Sequence, residues 1–158
     1  MREVHKGIFP EVPLSDGNFH SRALTVLETN PSLFGERKDT CITINREPER
    51  KDRSLTYQES VDLIFIYDRL KRRSQRYGVA IELKTIERGE LSLRDRAKAE
   101  SQLFNGIRYI SSRYDSVAHT PYGILVTVSR EGVYEWERIY ADELRWRWEF
   151  NQEIKRKR

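Results

Sequence analysis

Glu82 and Lys84 stand two residues apart inside the apolar run Tyr77-Gly-Val-Ala-Ile-Glu-Leu-Lys-Thr85. Burying one charge in such a run costs several kcal/mol unless it is paired or coordinated. Twenty residues earlier, Asp62 opens a second apolar run, Val61-Asp-Leu-Ile-Phe-Ile-Tyr67. Two carboxylates can hold Mg²⁺ through oxygen ligands and leave water positions open. Such an ion lowers the pKa of water bound to it and stabilises charge building on phosphoryl oxygens. A neighbouring lysine can orient or help deprotonate the attacking water and add positive charge at the phosphate. Asp62, Glu82 and Lys84 together supply a set for metal-dependent phosphodiester hydrolysis. Mg²⁺ is the expected cofactor, with Mn²⁺ as a substitute because both take oxygen ligands.

Positioning these groups asks for two adjoining strands. In residues 79–85, Val79, Ile81 and Leu83 form one face and Ala80, Glu82 and Lys84 the other. At a strand rise of about 3.3 Å, the α-carbons of residues 82 and 84 lie about 6.6 Å apart with their side chains pointing the same way. The run 61–67 is apolar on both faces beyond Asp62, which predicts a central strand buried on both sides. The basic stretch 68–78 between them reads as a long hairpin loop. Pairing Tyr67 with Val79 would set Asp62 opposite Lys84 and Ile64 opposite Glu82, bringing the three polar groups to one end of the sheet.

Other elements frame this pair. Ser21 to about Glu28 suits a short helix with Ala23, Leu24 and Leu27 inward, stopped by Asn30-Pro31. Residues 41–44 read as a strand, and 45–53, with Pro48 and seven charged residues, as an exposed loop. Ser92-Leu-Arg-Asp95 has capping-box spacing. The helix it starts should reach about Arg113, with Leu93, Ala97, Leu103, Phe104, Ile107, Ile110 and Tyr114 as its buried stripe. Residues 122–129 form a third strong strand, and Arg130-Glu-Gly132 turns the chain into a hairpin partner at 133–136. Beyond residue 140, the alternation of Leu144, Trp146, Trp148 and Phe150 argues strand, whereas Tyr140, Leu144, Trp148 and Ile154 nearly match helical spacing. Ala141-Asp-Glu-Leu144 tips the reading to helix. Residues 1–18, with Pro10, Pro13 and Gly17, read as an irregular arm, and 151–158 as a basic tail.

The 158 residues suffice for one domain with a real core. Hydrophobic residues make up only 37%, but 17 aromatic residues argue for a folded chain. No apolar run approaches the length of a membrane span or a signal-peptide core. The expected location is therefore intracellular: the cytoplasm, or the host cytoplasm for a viral protein. Cys41 is the single cysteine, which excludes an internal disulfide and a cysteine-rich zinc site. Net charge is +4, and 21 of the 29 basic residues are arginine, the side chain suited to forked phosphate contacts. They crowd at Arg69, Lys71, Arg72, Arg73 and Arg76, and again at Lys155, Arg156, Lys157 and Arg158. Contact with a DNA phosphate backbone is the matching expectation, against the plainer reading of solvated charge.

Asp62 at the head of one strand and Glu82-Leu83-Lys84 in the next make the chain resemble the PD-(D/E)xK nuclease superfamily. Val61 stands where that family usually has proline. The resemblance implies a restriction-endonuclease-like α/β core: a central four-stranded mixed β-sheet flanked by helices. Gln102 is similar to a glutamine that members often carry on the helix after the catalytic strand. Tyr109, seven residues on, departs from the spacing of some branches. Glu28 corresponds in place to a further metal-binding acid in the first core helix, with Glu59 as a competitor. The implied function is a Mg²⁺-dependent endonuclease that hydrolyses DNA phosphodiester bonds with a metal-activated water. Asp62 and Glu82 would bind metal, Lys84 would position the water, and a homodimer is compatible with a junction-resolving variant. The alternatives are a non-catalytic DNA-binding protein, with Glu82 and Lys84 as a plain ion pair, and a small assembly protein joined through its aromatic tail.

Overall fold

A computed structural model describes residues 4–8, 19–36, 39–46, 60–69, 75–87, 89–114 and 120–157. Six strands are present: β1 (Val4–Ile8), β2 (Thr40–Arg46), β3 (Leu63–Asp68), β4 (Arg76–Ile86), β5 (Tyr122–Ser129) and β6 (Val133–Tyr140). Among the described residues, three α-helices accompany them, α1 (Phe19–Glu28), α2 (Leu93–Arg113) and α3 (Ala141–Arg156), with a 3₁₀ turn at Pro31–Leu33. The strands form one sheet in the order β1-β6-β5-β4-β3-β2. All neighbours are antiparallel except β4 and β5, which run parallel and are joined through α2. A parallel pair needs such a crossover because a tight turn cannot reverse the chain twice.

The α/β mixed sheet agrees with expectation, but it has six strands where the resemblance implied four. Both β2 and β1 extend it at the edges. Val4–Ile8 corrects the reading of an irregular arm: it pairs with β6 from Val4↔Glu137 to Ile8↔Val133. An edge strand gains main-chain hydrogen bonds without needing an alternating apolar pattern, and a charged residue such as Lys6 suits such an edge. The rest of the arm (1–3 and 9–18) and most of the 45–53 loop lie outside the described residues. Residues 151–156 of the basic tail continue α3, in line with the helical reading beyond residue 140.

Two apolar layers hold the sheet. On one face, Leu63, Phe65, Val79, Ile81, Leu83 and Val126 pack with Ala23, Leu24 and Leu27 of α1. On the other, Ile64, Ile66, Ala80 and Leu125 pack with Leu103, Ile107 and Ile110 of α2 and Leu144 of α3. The odd–even split along β3 and β4 is the alternation expected of strands covered on both faces. Ser92 caps α2 by accepting the Asp95 N–H at 3.2 Å. The buried stripe of α2 is shifted from the expected one. Leu93 is 87% exposed, whereas Ala99, Glu100, Gln102 and Gly106 are buried, because the first turn projects past the packed face. Gly106 allows the close approach: a Cβ there would lie 2.9 Å from both Ala80 Cβ and Val61 Cγ1. Among the described residues, no helix is long and apolar enough to cross a membrane.

Candidate active site

β3 and β4 pair from Leu63↔Ile81 to Asp68↔Arg76, with Tyr67 opposite Tyr77. The expected register is therefore corrected by two residues. The tyrosine rings stack with centroids 5.2 Å apart, which favours this tighter hairpin over one that pairs Tyr67 with Val79. Continued by one residue, the true register sets Asp62 beside Glu82 instead of Lys84. The ladder stops at Leu63, and the two acids complete it. Glu82 Oε1 accepts the Asp62 N–H at 3.0 Å, and Asp62 Oδ2 accepts the Leu83 N–H at 2.8 Å. Each carboxylate thus satisfies a buried backbone donor that the end of β3 would otherwise leave unpaired.

Lys84 Nζ lies 3.1 Å from Glu82 Oε2. His20, near the start of α1, brings Nε2 to 3.1 Å from the Leu83 carbonyl oxygen and 3.5 Å from Asp62 Oδ2. Four groups from α1, β4 and the approach to β3 therefore converge. His20 is one of three histidines in the sequence and was not among the site candidates. It lies 63 residues from Leu83, and no local pattern marks that contact.

Glu82 is 2% exposed and Asp62 7%. Burial holds the Glu82 carboxyl well above the ordinary carboxylate range, and the neighbouring Asp62 charge pushes it the same way. Lys84 opposes both and does not overcome them. His20 is raised above its usual value first by its hydrogen bond to Asp62, with burial acting against it. The site thus holds two acids whose mutual repulsion is relieved by a proton or by an added cation.

The other sequence candidates divide. Glu28 is not brought to this cluster. It sits eight residues beyond His20, about 12 Å along the helix, and pairs with Arg46 at 3.1 Å. Gln102 is buried beneath the segment leading into β3, where its Nε2 donates to the Ser60 carbonyl at 3.2 Å. Its Oε1 has no hydrogen-bond partner among the described residues. Arg76 pairs with Asp68 at 2.8 Å, and the Arg69 guanidinium lies 5.3 Å from the Tyr77 ring centroid. Asp68 ends β3, six residues from Asp62, so this basic hairpin stands about 20 Å from the acids. Arg156 and Lys157 are exposed at the end of α3. Glu59, Lys71, Arg72, Arg73, Arg158 and the Lys155 side chain lie outside the described residues.

Among the described residues, no group of three or more His, Cys, Asp or Glu side chains could hold a metal ion. Asp62 and Glu82 form a buried oxygen pair beside Lys84 and His20, and Mg²⁺ typically binds one or two carboxylates while keeping water and phosphate in its other positions. A recess of about 220 Å³, lined by Phe19, His20, Thr85 and Arg130 among others, opens beside His20. A larger cleft of about 520 Å³ crosses the α2 face of β5 and β6 and carries Glu90, Glu135 and Glu137 with Arg96.

No family model, curated protein or solved structure matches this chain.

Proposed function

We propose that the chain is a divalent-metal-dependent phosphodiesterase of the PD-(D/E)xK type, acting on DNA as an endonuclease. The observation that carries this reading is the convergence of Asp62, Glu82 and Lys84, with Lys84 Nζ 3.1 Å from Glu82 and the Asp62 amide bonded to the same carboxylate. Asp62 and Glu82 would hold Mg²⁺ or Mn²⁺. When bound, the ion would supply Lewis-acid charge to the phosphate and to the attacking water. Lys84, its ammonium held 3.1 Å from Glu82, would orient that water and add positive charge at the phosphate. His20, whose pKa is raised first by its hydrogen bond to Asp62, would hold that carboxylate in place and, when protonated, add positive charge on the side of the smaller recess. Backbone hydrogen bonds to both acids restrict their rotation, which keeps the ligands preorganised. The arginine-rich surface supports a phosphate partner, although Arg69 and Arg76 stand too far along β3 to touch the scissile group. They would hold flanking duplex.

The test compares wild type, Glu82→Ala and Lys84→Ala on linear, circular and branched DNA, with Mg²⁺ and with chelator. Metal-dependent cleavage that is lost in both variants, with DNA binding retained, is the expected result. Cleavage that survives Glu82→Ala refutes the assignment. An ordinary Glu82–Lys84 ion pair predicts no metal dependence at all.

A further inference from the structure

The outer face of α3 carries an apolar row that no described residue covers. Trp146, Phe150 and Ile154 recur at four-residue intervals and so share one side of the helix. They are 65%, 51% and 40% exposed. The Trp146 and Phe150 rings stack at 5.7 Å, forming an ordered aromatic pair facing water. The inward side is separate: Leu144 is buried in the core, and the Trp148 ring lies 5.3 Å from Phe104. A contiguous apolar patch of this kind marks an interaction surface.

We infer that this face seats a second copy of the chain, as an antiparallel pair of α3 helices related by a two-fold axis at Phe150. The row is symmetric about that residue. An antiparallel alignment centred there sets Phe150 against its own counterpart and Trp146 against the partner's Ile154, as a self-complementary two-fold interface requires. Charge selects the same alignment. α3 begins with Asp142 and Glu143 and ends with Arg156 and Lys157, so each acidic first turn meets the other copy's basic last turn. A parallel alignment would place like charges together. Asp142, Arg156 and Lys157 have no ion-pair partner among the described residues. One 16-residue helix per copy gives a contact at the small end of specific interfaces, roughly 1,000 Å² in total, and hence a reversible dimer. The inference is independent of the proposed catalysis.

Sedimentation of the full chain across the micromolar range tests it. Wild type is expected to pass from monomer to dimer with concentration. Phe150→Asp, which doubles a like charge at the axis, is expected to weaken association by more than about tenfold. Asp142→Lys is expected to weaken it several-fold, and adding Lys157→Glu to restore it. Phe150→Cys in a Cys41→Ser background should form a disulfide-linked dimer under mild oxidation. Asp142, Phe150 and Lys157 face outward, so an unchanged circular dichroism spectrum is expected for their variants. A chain that stays monomeric at all concentrations, or a dimer indifferent to Phe150→Asp, overturns the inference. Failure of both the charge-swap restoration and the cross-link overturns the antiparallel arrangement.

Discussion

Replacing Glu82 with glutamine separates a metal-binding dyad from a structural ion pair. Glutamine keeps an acceptor for the Asp62 N–H, 3.0 Å away in the wild type, while removing the charge. The folded-state pKa of Glu82 is raised above its unfolded value near 4.5. Its contribution to stability is therefore fully present below the unfolded pKa and is lost as pH rises through the folded pKa. Each unit of that elevation corresponds to about 1.4 kcal/mol of lost stability. In chelator, wild type and Glu82→Gln should thus melt together at low pH and diverge as pH rises, with the variant the more stable. For a domain of this size, about 1 kcal/mol corresponds to roughly 2–4 °C in Tm. Divalent cation reverses the order. At a concentration about 100-fold above Kd it stabilises the native state by about 2.7 kcal/mol. Wild type should gain roughly 5–11 °C in Tm at neutral to alkaline pH, and the variant nothing. Thermal unfolding across pH, with Mg²⁺, Mn²⁺ or chelator, reads both effects. If Glu82 is simply the ionised partner of Lys84, the substitution instead destabilises the protein at high pH, by about 3–5 kcal/mol for a broken buried pair. That result, or an equal metal-induced shift in both proteins, would refute the reasoning.

His20→Ala should reduce metal-dependent cleavage while sparing DNA binding, measured by gel shift beside the cleavage assay. Because the His20 pKa is raised in the fold, its stabilising contribution is present below pH about 6.5 and lost as pH rises through the folded value. The alanine variant should therefore show its stability deficit in acid and little deficit in base. Gly106→Ala gains about 1 kcal/mol of helix propensity but forces a Cβ to 2.9 Å from Ala80 and Val61. Overpacking of about 1–3 kcal/mol should win, lowering the urea midpoint and shifting α2 against the segment that carries Asp62. Ser92→Ala removes the cap that accepts the Asp95 N–H and should cost about 1 kcal/mol by chemical denaturation, with no change in metal response.

The elements were written locally. Alternation in 79–85 assigned Glu82 and Lys84 to one face, and the Ser92 cap marked the start of α2 correctly. The competing patterns after residue 140 resolved to helix, because Leu144 and Trp148 find α2 to pack against. Pairing was decided elsewhere. Strand register depends on which side chains meet across the hairpin, and the Tyr67–Tyr77 stack moved Asp62 from Lys84 to Glu82. The edge strand Val4–Ile8 was hidden because its stabilisation comes from backbone bonds to β6, which side-chain patterns do not encode. Glu28 and His20 share one helix, yet only the latter reaches the acids, since about 12 Å of helix separates them and Glu28 pairs with Arg46 instead. Residue types and strand phase thus specified which chemistry the chain can attempt. Long-range packing alone determined which of those residues stand within bonding distance, because contacts between segments 20 to 63 residues apart leave no periodic trace along the chain.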